Sequence, residues 1–158
     1  MNSGAGPTSK LLSLVFLLDT SQRRVLLGMK KRGFGQGKYN GFGGKMEKGE
    51  TMPACAQREL SEECGCLVPL EKLHARGRLC FNMLTEGMVD KATGAVSSRL
   101  LVHVFTAEFT DVANGEIVES EEMSPQWFAW DALPLDRMWQ DDKYWLCLLY
   151  TSPSPRDS

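Results

Sequence analysis

The chain has 158 residues, 42% of them hydrophobic and 24% charged, which suits one ordinary globular domain with enough apolar side chains to bury a core. Its formal net charge of −2 provides no overall basic field to hold a nucleic-acid backbone, so a free nucleotide arriving with metal ions fits better than a polymer. The cysteines, Cys55, Cys64, Cys66, Cys80 and Cys147, are odd in number and form no C-x-x-C pair, which argues against a disulfide framework and against structural zinc. They read as small buried apolar residues in a reducing compartment, and His74 and His103 as surface or core histidines.

Residues 1–9, rich in Gly, Ser and Pro, read as a flexible N-terminus. The apolar run at 11–18 is far shorter than the roughly 20 residues of a membrane span, and no small-residue cleavage pattern follows it. It reads as a buried strand in a cytosolic protein. With the run at 25–29 across the polar turn Asp19-Thr-Ser-Gln-Arg-Arg24, it predicts a hairpin or a pair of neighbouring strands. Two glycine-dense loops follow, Gly33-Phe-Gly-Gln-Gly37 and Gly41-Phe-Gly-Gly44, and imply positive φ or close approach of a ligand.

A helix comes next, with Thr51 as its cap, Pro53 in the first turn and Gly65 as its stop. Ala54, Ala56, Leu60 and Cys64 give it a small-residue face for close packing on a sheet. Further strands are predicted at 79–84, 100–109 and 126–130, with the polar insert at 85–98 as a loop or long hairpin tip. No internal repeat is present. The last eight residues, Thr-Ser-Pro-Ser-Pro-Arg-Asp-Ser, contain no apolar side chain and read as a disordered tail over 151–158, an assembly scar rather than native sequence.

On the predicted helix Glu59, Glu62 and Glu63 fall within roughly 100° of arc, so their carboxylates share one face. Like charges so spaced cost an isolated helix ~0.2–0.5 kcal/mol per pair, which calls for a solvated acidic face or for a cation. Taken alone, the solvated face is the preferred reading. Arg58, one turn before Glu62, can hold that side chain. The spacing from the preceding loop changes the balance: Gly44, then Glu50 after five residues, Arg58-Glu59-Leu60 after seven more, and Glu62-Glu63-Cys64-Gly65. Gly43-Gly44-Lys45 is not a P-loop, because Tyr39 and Met46 occupy the first Gly and the Ser/Thr slots, and the loop at 33–37 does not complete G-x-G-x-x-G.

That run, G-x5-E-x7-R-E-U-x-E-E-x-G-U with U a bulky apolar residue, resembles the Nudix box at every charged and glycine position over residues 44–66, with Cys66 in the last apolar slot. The resemblance implies an α/β (α+β) Nudix fold: an α/β/α sandwich around a mixed sheet, with the box as loop–helix–loop. It further implies Mg²⁺, with Mn²⁺ as substitute, held by Glu59, Glu62 and Glu63 and bridged to phosphates, with Gly43 and Glu122 as further metal contacts. A water attacks phosphorus with Glu63 as the leading general base, while Glu50 and Arg58 orient the helix.

Gly28-Met-Lys-Lys-Arg-Gly-Phe-Gly35, the run from Tyr39 to Lys45 and Met138-Trp-Gln-Asp-Asp-Lys-Tyr-Trp145 resemble an animal branch of the family. That branch hydrolyses oxidised purine nucleoside triphosphates, 8-oxo-dGTP and 2-hydroxy-dATP, to monophosphate and pyrophosphate. By position, Asn40, Asp141 and Asp142 match its base-reading residues. Trp139, Phe34, Phe81, Met123 and Trp145 match its pocket wall, Lys30 and Ser13 its edge, and Gly43 and Gly44 also fall at the substrate. Two adjacent aspartates facing one base edge can share a proton. Met83 stands where the branch has a second pocket phenylalanine. The branch also continues for about two strands past the point where this chain enters its tail, so the domain at 10–150 reads as truncated. The implied enzyme is a monomer with a small nucleotide substrate, without membrane or nucleic-acid polymer as partner, and mitochondrial or nuclear pools are open to it. Another Nudix substrate, or nucleotide binding without hydrolysis, are the alternatives.

Overall fold

The computed structural model describes residues 8–83, 98–114, 116–139, 142, 146 and 149. Residues 1–7, the expected insert up to residue 97 and the expected tail lie outside them. The elements are β1 (Thr8–Asp19), β2 (Arg24–Lys30), β3 (Tyr39–Asn40), α1 (Met52–Cys64), β4 (His74–Met83), β5 (Ser98–Glu108) and β6 (Met123–Ala129), with the strands in one mixed sheet. Among the described residues no helix is long and apolar enough to cross a membrane.

The apolar run of β1 becomes the sheet's central strand, parallel to β5 from Thr8↔Ser98 to Leu18↔Glu108. This corrects the expected flexible start: Thr8 and Ser9 belong to β1, because a backbone ladder orders small polar residues as readily as apolar ones. β1 and β2 form the expected antiparallel pair only beside their turn, from Leu17↔Leu26 to Asp19↔Arg24. Beyond it they separate and residues 39–45 enter the gap. β3 pairs with β2 at Gly28↔Asn40 and Met29↔Tyr39, and then Phe42 and Gly44 take over β1, with Val15 N donating to Phe42 O at 2.7 Å and Ser13 N to Gly44 O at 2.9 Å. β6 runs antiparallel along the other edge of β2. β4 pairs antiparallel with β5, starting at His74 rather than at 79. Its exposed His74, Arg76 and Arg78 suit an edge strand, where charge discourages further pairing.

Helix α1 has the predicted punctuation. Thr51 accepts a hydrogen bond from Ala54 N, and Gly65 ends the helix in the left-handed region at φ 77°, its N–H bonded to Ser61 O. Cys55, Ala56, Leu60 and Cys64 are buried on one face; the small side chains let the helix lie close to β1, while Leu60 meets a core of Val15, Leu17, Leu26, Phe42 and Phe105. The alternate residues of the same strands, Phe16, Leu18, Val25 and Leu27, form a second core under Met138 and Leu146. Both faces of the sheet are therefore covered, one by α1 and the other by the segment after β6. There Leu146 N bonds to Asp142 O at 2.9 Å, the spacing of a helical turn. Cys55, Cys64 and Cys66 are buried as expected. Cys80 is exposed, a correction that follows from its place on edge strand β4, and Cys147 lies outside the described residues.

Leu60 is fully buried, so Leu60→Ala is expected to cost ~2–5 kcal/mol through lost transfer energy and a residual cavity. Leu70→Ala, at a position 45% exposed, is expected to change stability by about 0.5 kcal/mol or less. Urea unfolding of the two variants beside the parent chain checks the contrast.

Candidate active site

Helix α1 carries two kinds of carboxylate. On its outer side the Arg58 guanidinium makes a two-pronged pair with Glu50, Nε–Oε2 2.6 Å and Nη2–Oε1 3.0 Å, and its Nη1 reaches Glu59 Oε2 at 3.0 Å and Glu62 Oε1 at 3.4 Å. Nη2 also donates to Lys45 O at 3.2 Å. Arg58 thus ties the helix to the loop before it, and Glu50 receives its firmest contact. These bonds, joined by the Glu47 N–H, hold the Glu50 carboxyl down at about 2 and keep Arg58 charged.

Glu63 faces the other way. It is 9% exposed, and its Oε1 accepts one backbone hydrogen bond, from Gly43 N at 2.9 Å. Burial pushes its carboxyl up to about 7; the Gly43 N–H opposes that, and the nearby Glu59 adds to it. Burial also raises Glu59, against the pull of Arg58. The loop lies so close that a Cβ on Gly43 would stand 1.8 Å from the Ser13 carbonyl oxygen, and one on Gly44 2.5 Å from the Glu59 carboxylate. Gly43 admits no side chain, because the obstacle is the β1 backbone, whereas at Gly44 a side chain would have to displace the end of Glu59. Among the described residues no three acidic, imidazole or thiol side chains are gathered as a ready-made metal cage, and Arg58 lies between Glu59 and Glu62.

One cavity of about 430 Å³ is lined by Glu63, Gly43 and Gly44 together with Asn40, Asp142, Trp139, Phe34, Lys30, Ser13, Phe81 and Met123. Phe34 and Trp139 stack, with ring centroids 5.2 Å apart and planes at 22°, and Lys38 Nζ stands 5.2 Å from the Trp139 ring. Asn40 Oδ1 accepts Gly41 N–H at 2.8 Å, and Asn40 lines the cavity. Asp142 is 5% exposed and its backbone N–H bonds to Trp139 O. Ser13 is buried, with its hydroxyl accepting from the Cys55 thiol. Asp141, Trp145 and the side chain of Met83 lie outside what the structure describes.

Glu122 is placed differently from the box glutamates. Its carboxylate bridges Lys30 Nζ at 3.2 Å and Arg32 Nε at 2.7 Å, and these two cations, Arg32 first, lower its pKa. Sequence reasoning missed further parts of the wall, Leu12 and Leu14 from β1, Leu79 from β4 and Leu100 and Val102 from β5, with Lys38 at the lip. The period-two alternation of those strands was the available signal, but cavity wall and core share it.

A family model described as the NUDIX domain matches residues 11–149, and the chain belongs to that family. It is similar to the protein named oxidized purine nucleoside triphosphate hydrolase of zebrafish, Danio rerio, 46% identical over 142 residues that cover 90% of this chain and 80% of the relative. The mouse, Mus musculus, protein of the same name is 46% identical over 143 residues, with the same shares covered. Among solved structures, the MutT protein from Bacillus halodurans matches with a TM-score of 0.69 at 24% identity, over 90% of this chain and 83% of that one, a likeness of fold.

Glu63 gives the metal-free protein a pH signature. With its pKa raised from 4.5 to about 7, the folded chain keeps a proton in that window that the unfolded chain has lost, so stability falls as pH rises through it. Glu63→Gln removes this dependence. The variant should match the parent below about pH 4.5 and exceed it above about pH 7, by on the order of 3 kcal/mol. Urea unfolding across that range without divalent ions checks this; parallel curves would mean that Glu63 is not the perturbed group.

Proposed function

We propose that this chain hydrolyses oxidised purine nucleoside triphosphates, 8-oxo-dGTP and 2-hydroxy-dATP, to the monophosphate and pyrophosphate in a divalent-metal-dependent reaction. One observation carries the reading: a buried carboxylate of the box helix, Glu63, lines the same cavity as the Phe34–Trp139 stack, Asn40 and Asp142. Groups suited to phosphate chemistry and groups suited to a flat heterocycle with polar edges therefore share one space, of a size typical for a small-molecule site. The name of the zebrafish and mouse relatives points the same way.

The donor set fits a hard divalent cation. Burial makes Glu63 and Glu59 reluctant to ionise, and a cation brought in with phosphates relieves that cost. Glu59, Glu62 and Glu63 would hold Mg²⁺, or Mn²⁺ in its place, with Gly43 as a further contact. Glu122 would join by giving up Lys30 or Arg32. When bound, the metal neutralises phosphate charge and acidifies water.

The chain's own groups do the rest. Glu63 takes the proton from the attacking water, whose oxygen forms a new bond to phosphorus while the α–β anhydride bond breaks and its electron pair leaves on the departing phosphate oxygen. The Arg58–Glu50 pair keeps the helix seated against the loop, and Lys30 offers positive charge at the cavity edge. Trp139 and Phe34 supply aromatic faces, while Asn40 donates and Asp142, with Asp141, reads the polar edge of the base. The reading is of a monomer, acting on the cytosolic nucleotide pool and on mitochondrial or nuclear pools where it reaches them.

The test is kcat/KM for 8-oxo-dGTP, 2-hydroxy-dATP, dGTP and a cap analogue, with the products resolved by chromatography. The oxidised purines should lead dGTP by roughly tenfold or more, the value of one well-made buried hydrogen bond. Best turnover of the cap analogue would overturn the base assignment and leave the family membership intact. Glu63→Gln should lower kcat on the best substrate by ~10²–10⁴ if Glu63 is the general base. A loss below about tenfold at saturating Mg²⁺ would move that role to another carboxylate.

A further inference from the structure

The lip of the cavity is made by two stretches far apart in sequence. Residues 33–38, between β2 and β3, bring Phe34 and Lys38; the stretch after β6 brings Trp139. The first is a tight glycine loop, with positive φ at Gly33, Gly35 and Gly37 and closure by Gly37 N to Lys30 O and Lys30 N to Lys38 O. The second is anchored from below by Met138, 3% exposed in the core that includes Tyr39 and Leu27. The rings themselves are weakly buried, Phe34 being 77% and Trp139 36% exposed. Stacking between such rings attracts without fixing one geometry.

Arg137 supplies a directional tie. Its guanidinium lies 5.3 Å from the centroid of the Tyr39 ring, and Nη2 stands 3.4 Å from Gly37 O and 3.7 Å from Met29 Sδ. These three residues each immediately precede a cavity-lining residue: Met29 precedes Lys30, Gly37 precedes Lys38, and Tyr39 precedes Asn40. Arg137 itself stands two residues before Trp139. One planar, permanently charged fork thus grips the backs of three lining positions from the segment that carries the fourth.

We propose that Arg137 is a positioning residue for base recognition, latching the Trp139 segment to the glycine loop so that the aromatic lip stands ready for a purine. The effect on catalysis rests on the function proposed above; the latch does not. Without it the lip samples other arrangements, and the substrate must select the competent one, which weakens binding and leaves the chemistry on α1 unchanged.

The experiment compares the parent chain with Arg137→Ala and Arg137→Lys, each also in a Trp139→Phe background. Acrylamide quenching is read as the difference that Trp139 makes in each pair. Arg137→Ala should raise KM for 8-oxo-dGTP by roughly three- to tenfold, the scale of one exposed cation–π contact and one hydrogen bond, with kcat within about twofold. Quenching of Trp139 should increase, and Arg137→Lys should lie between, keeping a charge over Tyr39 without the fork. Unchanged KM and unchanged quenching in the folded variants would overturn the proposal, as would a fall in kcat at constant KM. If the parent chain does not prefer oxidised purines, the function reading fails by itself. Quenching then decides the latch: greater exposure of Trp139 in Arg137→Ala supports it and no change overturns it, with Arg137→Lys giving the same reading should the alanine variant not fold.

Discussion

Much of this structure depends on how Glu63 is held. A carboxyl group turned into a largely apolar interior loses several kcal/mol of hydration when charged, and among the described residues its hydrogen bond comes from the Gly43 N–H at 2.9 Å. A hydrogen bond to a charged group returns about 1.5–3 kcal/mol, so the offset is incomplete and burial pushes the carboxyl up to about 7. Helix, loop and strand are pressed together around that bond: Gly43 lies against the Ser13 carbonyl on one side while it answers Glu63 on the other. The separation of α1 from β1 is thereby set by a backbone contact and a buried hydrogen bond as well as by the apolar packing of Leu60, Cys55 and Ala56.

The neighbouring carboxylates show what Glu63 lacks. Glu50 has both prongs of Arg58, and Glu59 and Glu62 share the remaining nitrogen. Opposite charge at hydrogen-bonding distance favours the ionised form, burial the neutral one: Arg58 prevails at Glu50, and burial at Glu59 and Glu63. The same short helix thus holds Arg58, which fastens it to the loop through Glu50, and an inner acid, Glu63, raised by burial and met by the Gly43 N–H.

The cavity beside that acid exists because β1 and β2 part company. A sheet that opens leaves donors and acceptors to be satisfied. Residues 39–45 do so by pairing first with β2 through Asn40 and then with β1 through Phe42 and Gly44. In crossing from one strand to the other, this segment carries Asn40, Gly41, Gly43 and Gly44 past the opening. A stretch that serves as structural filler is also the cavity's wall. The glycines permit both, since a Cβ at Gly43 would strike β1 and one at Gly44 would strike Glu59.

Local physics was legible in the amino-acid order, and long-range pairing was not. Thr51, Pro53, Gly65 and the spacing of Ala56 and Leu60 declare α1 within one stretch of chain, and the box residues lie inside that stretch. The hairpin of β1 and β2 was visible through its polar turn, but nothing local says that it opens after three paired positions or that β1 continues parallel to β5. β3 is two residues long, too short for any period, and exists because Gly28 and Met29 present an unpaired edge. Leu12, Leu14, Leu79 and Val102 read as core because a cavity wall and a packed interior demand the same apolar alternation; the difference is whether another part of the chain fills the space. Arg137 gave no signal for a related reason: its partners, Met29, Gly37 and Tyr39, lie about a hundred residues away in sequence, and only the closing of the lip brings them together. The parts that bear on cleavage are thus concentrated in one locally encoded helix and loop, whereas the parts that bear on the base are distributed over contacts that folding alone assembles. A likeness at 24% identity speaks for the fold alone, and under the proposed function the lip residues are where the choice of base has to be measured.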